Sequence, residues 1–363
     1  MPEISEISAY SLELPLKDAF ETAKGRKISS PAVVVELRLS DGVVGLGSAT
    51  PVKYVTGEDT TSVLQAIEMC EADLRGADPS AYMPLFATIA EVLPDDHSAR
   101  AALEMAVLDA FCKLHNLPMC CLFGGSLSQV ETDVTIPIVE PETARELAGQ
   151  AASLGFNHLK IKVGGDPEED FARVLAVSEG APYCSIRLDA NQGFVPTVAV
   201  RFVSDLHNAS VKVDMLEQPV DRADLDGLRY VTQHTNIPVF ADESVVTASD
   251  ALKLIELEAV DGINVKLMKS GVSGALDIIS ICKAAGKELM LGSMIETGIG
   301  LATSVHFACG TGAFSRLDLD AHLLAAPDAV PFSGGFTASG PLLIADRDTP
   351  GHGSAPAGAR NAT

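Results

Sequence analysis

"HLKIKV" (158–163) and "SIRLDA" (185–190) are short apolar runs with the β-branched bias of buried strands, separated by an amphipathic segment. The same unit recurs along the chain. "DVTIPIV" (133–139) precedes it, and "VDMLEQ" (213–218), "PVFADE" (238–243), "GINVKLM" (262–268), "ELMLGSM" (288–294) and "FSRLDLD" (314–320) follow, with stretches such as "ASDALKLIELEAV" between them. Eight strand–helix units in about 190 residues predict a closed parallel barrel of the TIM type rather than an open doubly wound sheet.

Upstream the pattern differs. Strands are expected at 3–14, 31–39 and 43–49, the last two joined by the turn signal "SDG", and helices near 58–74, 79–91 and 97–116. Strands followed by helices mark an α+β unit. Its boundary falls near "GGS" (124–126), giving an N-terminal α+β domain at 1–124 and a barrel at 125–326. The segment 327–349, with the strand-like "GPLLIAD", is expected to return to the first domain. The Gly/Pro-rich end, 350–363, reads as a disordered tail.

Composition narrows the class. Forty-nine acidic residues against 26 basic ones give a net charge of −23, which disfavours nucleic acid and anionic membrane partners. No run approaches the roughly 20 apolar residues of a membrane span, and the N-terminus lacks a secretory pattern. The cysteines at 70, 112, 120, 121, 184, 282 and 309 contain no C-x-x-C pair, so reduced thiols in a cytoplasmic protein are expected. Homo-oligomer formation is left open.

The charged residues fall in register with the barrel. Lys160 and Lys162 lie at the end of the second strand, Asp189 of the third, Glu217 of the fourth, Asp242 of the fifth, Lys266 of the sixth, and Asp318 and Asp320 of the eighth. Barrel enzymes build their sites at that C-terminal mouth. Any one such acid could be a helix cap or a loop ion pair. Three carboxylates on successive strands, by contrast, repel one another unless a cation sits among them. Oxygen ligands without histidine or cysteine suit Mg²⁺ rather than zinc. Lys160 and Lys162 share a strand face, and an ammonium beside another and near a divalent cation has a lowered pKa, which suits a general base. A substrate carboxylate at the metal would present its α-carbon between lysines on the second and sixth strands.

"KIK" (160–162), "LDAN" (188–191), "EQP" (217–219), "ADES" (241–244) and "NVKLMKSGV" (264–272) together resemble the enolase superfamily, in its muconate-cycloisomerase-like subgroup. Lysine bases with Mg²⁺ stabilising an ene-diolate are the known chemistry of that superfamily. The resemblance implies a modified TIM-type (β/α) barrel with an N-terminal α+β capping domain. It implies Asp189, Glu217 and Asp242 as Mg²⁺ ligands, Lys162 and Lys266 as bases on opposite faces, Lys160 tuning Lys162, and Asn191 and Glu243 as orienting groups. Lys269 reads as a solvated charge at a helix start.

Within the subgroup, "RLDLDAH" (316–322) resembles the dipeptide epimerases, whose D-x-D carboxylates hold the substrate's α-ammonium, and "YVTGED" (54–59) resembles their capping loop. That likeness implies two-base 1,1-proton transfer through an enediolate at the C-terminal residue of a dipeptide, with L-Ala-D/L-Glu as one candidate. Lys24 or Arg26, in the loop "LKDAFETAKGRK" (16–27), would then meet an acidic side chain. Muconate cycloisomerase, o-succinylbenzoate synthase and N-acylamino acid racemase chemistry use the same core residues. A noncatalytic barrel binding a metal and an acidic ligand is the alternative of another class.

Overall fold

The computed structural model describes residues 1–326 and 330–357. The first domain is an antiparallel sheet of β1 (Ile4–Thr22), β2 (Gly25–Leu39) and β3 (Val44–Ala49), in that order, with helices on one face. Gly45 and Gly47 let β3 lie directly on helix His97–Leu114. A Cβ at Gly47 would meet the Ala102 carbonyl at 1.9 Å, so only glycine fits.

The first two strands run past their expected ends. Pairing slips between Pro15 and Phe20, where proline offers no donor, then resumes as Phe20 opposite Lys27, Glu21 opposite Arg26 and Thr22 opposite Gly25. The segment 16–27 is therefore mostly a β-ribbon and not the expected loop. It rests on the barrel rim: the Glu21 carbonyl accepts from Ile138 N (3.1 Å), and the Pro15 carbonyl from Ala326 N (2.9 Å).

After β4 (Gln129–Glu131) come eight parallel strands: β5 (Val134–Ile136), β6 (His158–Lys162), β7 (Ser185–Asp189), β8 (Val213–Glu217), β9 (Val239–Ala241), β10 (Gly262–Val265), β11 (Glu288–Gly292) and β12 (Arg316–Asp318). Each pairs with its neighbour in chain order, β5 through β12. The ends meet through three bonds: Asp133 N to the Leu317 carbonyl (3.1 Å), Leu319 N to Thr132 Oγ1 (2.8 Å) and Thr135 N to Asp320 Oδ2 (2.7 Å). Fully buried Met215, Phe240 and Met290 pack together, with the Arg316 guanidinium 4.9 Å from the Phe240 ring centroid.

Beyond the barrel, β14 (Phe336–Ser339) and β15 (Leu342–Ala345) form a sheet with β4, while β13 (Phe332–Gly334) pairs with β16 (Ser354–Pro356). Phe332 packs against Val34 and Leu46 of the first domain. Residues 327–329 lie outside the described residues. The expectation of a disordered tail fails for 350–357. His352 is fully buried, its amide donates to Asp109 Oδ1 (3.1 Å), and its Nε2 lies 3.1 Å from the Leu46 carbonyl. The glycines that suggested disorder serve close approach: a Cβ at Gly351 would stand 1.9 Å from Asp109 Oδ1. Residues 358–363 lie outside the described residues. Among the described residues, no helix is long and apolar enough to cross a membrane.

Candidate active site

The parallel register sets the polar residues at one height. Lys162 is the pairing partner of Asp189, and Asp189 of Glu217. Asp242 and Lys266 directly follow β9 and β10. All five are buried, as is Lys160. The alternation of β6 turns both its lysines to the barrel interior.

Lysines and carboxylates interleave there. Lys160 Nζ lies 2.6 Å from Asp318 Oδ2, 2.9 Å from Glu217 Oε2 and 3.0 Å from Asp189 Oδ2. Lys162 Nζ donates to Asp189 Oδ2 (2.6 Å), and Lys266 Nζ to Asp242 Oδ2 (2.8 Å). Burial pulls the Lys160 pKa down, but Asp189, Asp318 and Glu217 outweigh it and hold the group well above the usual lysine range. Lys266 is raised too: Asp242 overcomes the desolvation. The expected lowering rested on like-charge repulsion and a divalent cation. Among the protein groups alone, carboxylates dominate at Lys160 and Lys266.

The carboxylates respond in kind. Asp189 and Asp242 are held below the usual range because, against desolvation, Lys160 and Lys162 act on the first and Lys266 and Lys269 on the second. Glu217 and Glu243 have weaker cationic support. Burial first, then Asp189 at Glu217 and Asp242 at Glu243, pushes each up to about 7.

Among the described residues, no three acidic, histidine or cysteine side chains converge closely enough to grip a metal as they stand. The three expected ligands are each drawn onto a lysine. Their chemistry nonetheless fits a hard divalent cation. Glu217 Oε2 is within ion-pair range of Lys160 but lacks hydrogen-bond geometry, and Glu243 Oε2 and Asn191 Oδ1 are buried without a hydrogen-bond partner. Buried acceptor oxygens of this kind are costly unless a cation or donor meets them. Asn191, in the left-handed region at φ 41°, donates from Nδ2 to Glu243 Oε1 (3.3 Å).

Above these groups opens a cavity lined by Lys162, Lys266, Asp318 and Asp320 from the barrel and by Phe20, Thr22, Lys27 and Tyr54 from the first domain. Asp320 enters by a route other than strand alternation. It follows β12 at the start of the short helix Ala321–Leu324, and its Oδ2 accepts from Thr135 N. Lys24 and Arg26 do not reach this cavity. Both are exposed, beside an adjoining outer groove, and the ribbon instead presents Lys27, which burial pulls below the usual lysine range. Its Nζ stands 5.5 Å from the Tyr54 ring centroid.

Lys269 overturns its reading as a solvated charge. It is 1% exposed, and its Nζ donates to Asp242 Oδ1 (2.6 Å), the Asp242 carbonyl (2.5 Å) and the Asn264 carbonyl (2.9 Å). Sequence reasoning also missed Asn264, whose Nδ2 donates to Glu217 Oε1 at 2.7 Å. Its position two residues before Lys266, on the same strand face, was the available signal.

A capped eight-strand barrel with interleaved lysines and carboxylates at its C-terminal mouth defines a class of barrel enzyme suited to acid–base chemistry on a small anion. Residues 142–358 match the family model described as enolase C-terminal domain-like, and residues 6–124 match the mandelate racemase / muconate lactonizing enzyme N-terminal domain. The chain belongs to the mandelate racemase / muconate lactonizing enzyme family of the enolase superfamily. It is 38% identical to an L-Ala-D/L-amino acid epimerase of Populus trichocarpa, over 94% of this chain and 82% of that one. Its fold is similar to the dipeptide epimerase of Enterococcus faecalis V583 complexed with Mg and L-Leu-L-Tyr (TM-score 0.93, 36% identity, 97% and 99% of the two chains). It is equally similar to a substrate-liganded L-Ala-D/L-Glu epimerase of Bacillus subtilis (TM-score 0.94, 35% identity, 98% and 99%).

Proposed function

We propose that this protein is a Mg²⁺-dependent dipeptide epimerase that inverts the α-carbon of the C-terminal residue by passing a proton between two lysines. The observation that carries the reading is the placement of Lys162 and Lys266 on separate strands of one cavity, with the carboxylates of the intervening strands between them. Asp189, Glu217 and Asp242 hold the metal. Bound Mg²⁺ supplies positive charge that makes the α-proton of a substrate carboxylate more acidic. One lysine takes the proton from one face and the other returns it on the opposite face, while Lys160 tunes Lys162. Asp318 and Asp320 receive the substrate's α-ammonium, a charge-assisted contact that N-acyl amino acids and cyclohexadiene acids do not make. Lys27, not Lys24 or Arg26, faces the substrate side chain and favours an acidic one. Seven free thiols, six of them buried, suit a reducing compartment such as the cytoplasm.

The test is incubation with Mg²⁺ and L-Ala-L-Glu, alongside a dipeptide panel, in D₂O, following deuterium at the α-carbon of the C-terminal residue. Epimerisation with exchange supports the proposal. Turnover of an N-acyl amino acid or a cyclohexadiene acid, with no exchange into any dipeptide, would replace it with another reaction of the same superfamily. Lys162→Ala and Lys266→Ala each abolish epimerisation on this reading, and each retains exchange from one stereoisomer. If both variants epimerised normally, the two-base assignment would be wrong.

A further inference from the structure

The chain between Lys266 and helix Val272 onward is not a continuous helix. Lys266 is extended (φ −132°, ψ 127°), a single turn carries Leu267 to Ser270, and Gly271 breaks it at φ 67°, ψ 179°. The helix that follows therefore starts afresh at Val272, with its first amides lacking partners from their own chain segment. A residue of the other domain supplies them. Glu104, fully buried in helix His97–Leu114, accepts from Val272 N (2.6 Å) and Ser273 N (3.0 Å) with Oε2, and from the Ser273 hydroxyl (2.6 Å) with Oε1. This is a helix N-cap provided in trans, and a carboxylate there also complements the helix dipole.

Its location gives the cap a consequence beyond folding. The turn between Lys266 and Gly271 is tied at one end to β10 and at the other to the helix start that Glu104 holds. Lys269 N and Ser270 N both donate back to the Lys266 carbonyl, so displacement of the helix start is transmitted along five residues to the Lys266 backbone. Gly271 also lies close against the cap: a Cβ there would stand 2.7 Å from Glu104 Oε2, so a substituent at 271 would push on the same contact. On the other side of the cavity, Lys162 sits on β6, whose neighbours are β5 and β7, and no bond from Glu104 reaches that strand.

We propose that Glu104 is a positioning residue for Lys266 and not for Lys162, by which the N-terminal domain sets one of the two bases without touching substrate. This rests on the two-base reading above. It predicts a stereochemically lopsided defect, because each base serves one isomer. A base displaced by about 1 Å can lose on the order of 10²-fold in rate.

The experiment measures α-deuterium exchange separately from the two epimers of one dipeptide with Mg²⁺-loaded full-length enzyme, with Lys266→Ala run in parallel to show which isomer depends on Lys266. Glu104→Ala and Gly271→Ala are expected to slow exchange of that isomer by about tenfold or more while the other stays within about twofold. Glu104→Gln, which can still accept both amides with its carbonyl oxygen, should restore the wild-type ratio. Equal loss for both isomers in a soluble variant would overturn the proposal, as would a Gln variant as lopsided as Ala. If Glu104→Ala is insoluble, Glu104→Asp and Gly271→Ala carry the same comparison. Wild-type enzyme that exchanges neither epimer of any dipeptide would refute the epimerase reading itself, a result distinct from symmetric loss in the variants.

Discussion

Replacing Lys269 by Met removes a buried ammonium while keeping most of its volume, so the change isolates charge and hydrogen bonding from cavity formation. Lys269 Nζ has three acceptors: Asp242 Oδ1, the Asp242 carbonyl and the Asn264 carbonyl. Its removal leaves the two buried carbonyls unpaired and Asp242 with Lys266 alone, together a cost of about 3–5 kcal/mol, as for breaking a buried pair. An unfolding entropy of about 2.1 cal/mol/K per residue, over 363 residues, converts each kcal/mol to about 1.3 °C. The Lys269→Met protein should therefore melt about 4–7 °C lower than wild type in metal-free buffer. Because Asp242 would lose one of its two lysine partners, added Mg²⁺ should raise the melting temperature of the variant by more than it raises that of wild type. The assay is scanning calorimetry with and without Mg²⁺, with exposed Lys24→Met as the control, expected within about 1 °C of wild type. A Lys269→Met protein that melts with the control would refute the reasoning and return Lys269 to the status of a solvated charge.

Two further outcomes follow from the same geometry. Lys27→Ala should raise the KM for L-Ala-L-Glu about tenfold relative to L-Ala-L-Leu, while Lys24→Ala leaves that ratio within about twofold, because Lys27 lines the cavity and Lys24 does not; a larger effect at Lys24 would reverse the assignment. His306 links stability to pH. Burial first holds its imidazole down at about 4, and its neutral form fits its partners: Nδ1 accepts from Cys120 N, and Nε2 lies 2.8 Å from the Gly335 carbonyl. A folded-state pKa below the unfolded value means the unfolded chain binds the proton first, so this contribution is present above about pH 6.5 and is lost as pH falls toward 4. Its full size is about 3 kcal/mol at about 1.4 kcal/mol per pH unit. Urea unfolding should show a shallower loss of stability over that range for His306→Asn than for wild type, and parallel profiles would contradict the assignment.

The barrel was legible because its information is periodic: short apolar strands and charges of fixed height recur together, as Lys160, Asp189 and Glu217 do. What the sequence concealed is aperiodic. Lys269 looked like a surface charge because Lys266-x-x-Lys269 is helical spacing, and nothing local shows that Gly271 ends the turn and folds the lysine back on Asp242. The loop expected at 16–27 came from the family resemblance; Pro15 and the charges at 17 and 18 interrupt alternation and so do not reveal that pairing resumes at Phe20. The same misreading put Lys24 and Arg26, at the ribbon's exposed turn, toward the mouth, whereas Lys27 is the ribbon lysine that lines the cavity. Residues 350–357 failed for another reason. Glycine signals both disorder and close approach, and only the partner, Asp109, some 240 positions earlier, distinguishes them.

The D-x-D pair shows how one residue can serve fold and site together, and how the two roles can be separated. Asp320 Oδ2 accepts Thr135 N and so helps to close the barrel between its first and last strands, while the same side chain lines the cavity. Burial, and then the neighbouring Asp318, pushes its pKa up to about 6, as expected for a carboxylate with too little positive charge nearby. On the proposed function, a substrate ammonium would supply that charge. Asp320→Asn keeps an oxygen for Thr135 N but no negative charge, whereas Asp320→Ala loses both. A hydrogen bond to a charged group is worth about 1.5–3 kcal/mol, or roughly 10–150-fold in binding. Asp320→Asn should thus melt close to wild type yet lose roughly tenfold or more of the preference for L-Ala-L-Glu over its N-acetyl derivative, measured as the ratio of kcat/KM. Asp320→Ala should show the same loss of preference together with a lower melting temperature. If the Asn variant kept full preference for the free amine, Asp320 would be a seam residue only, and the substrate's ammonium would rest on Asp318 alone.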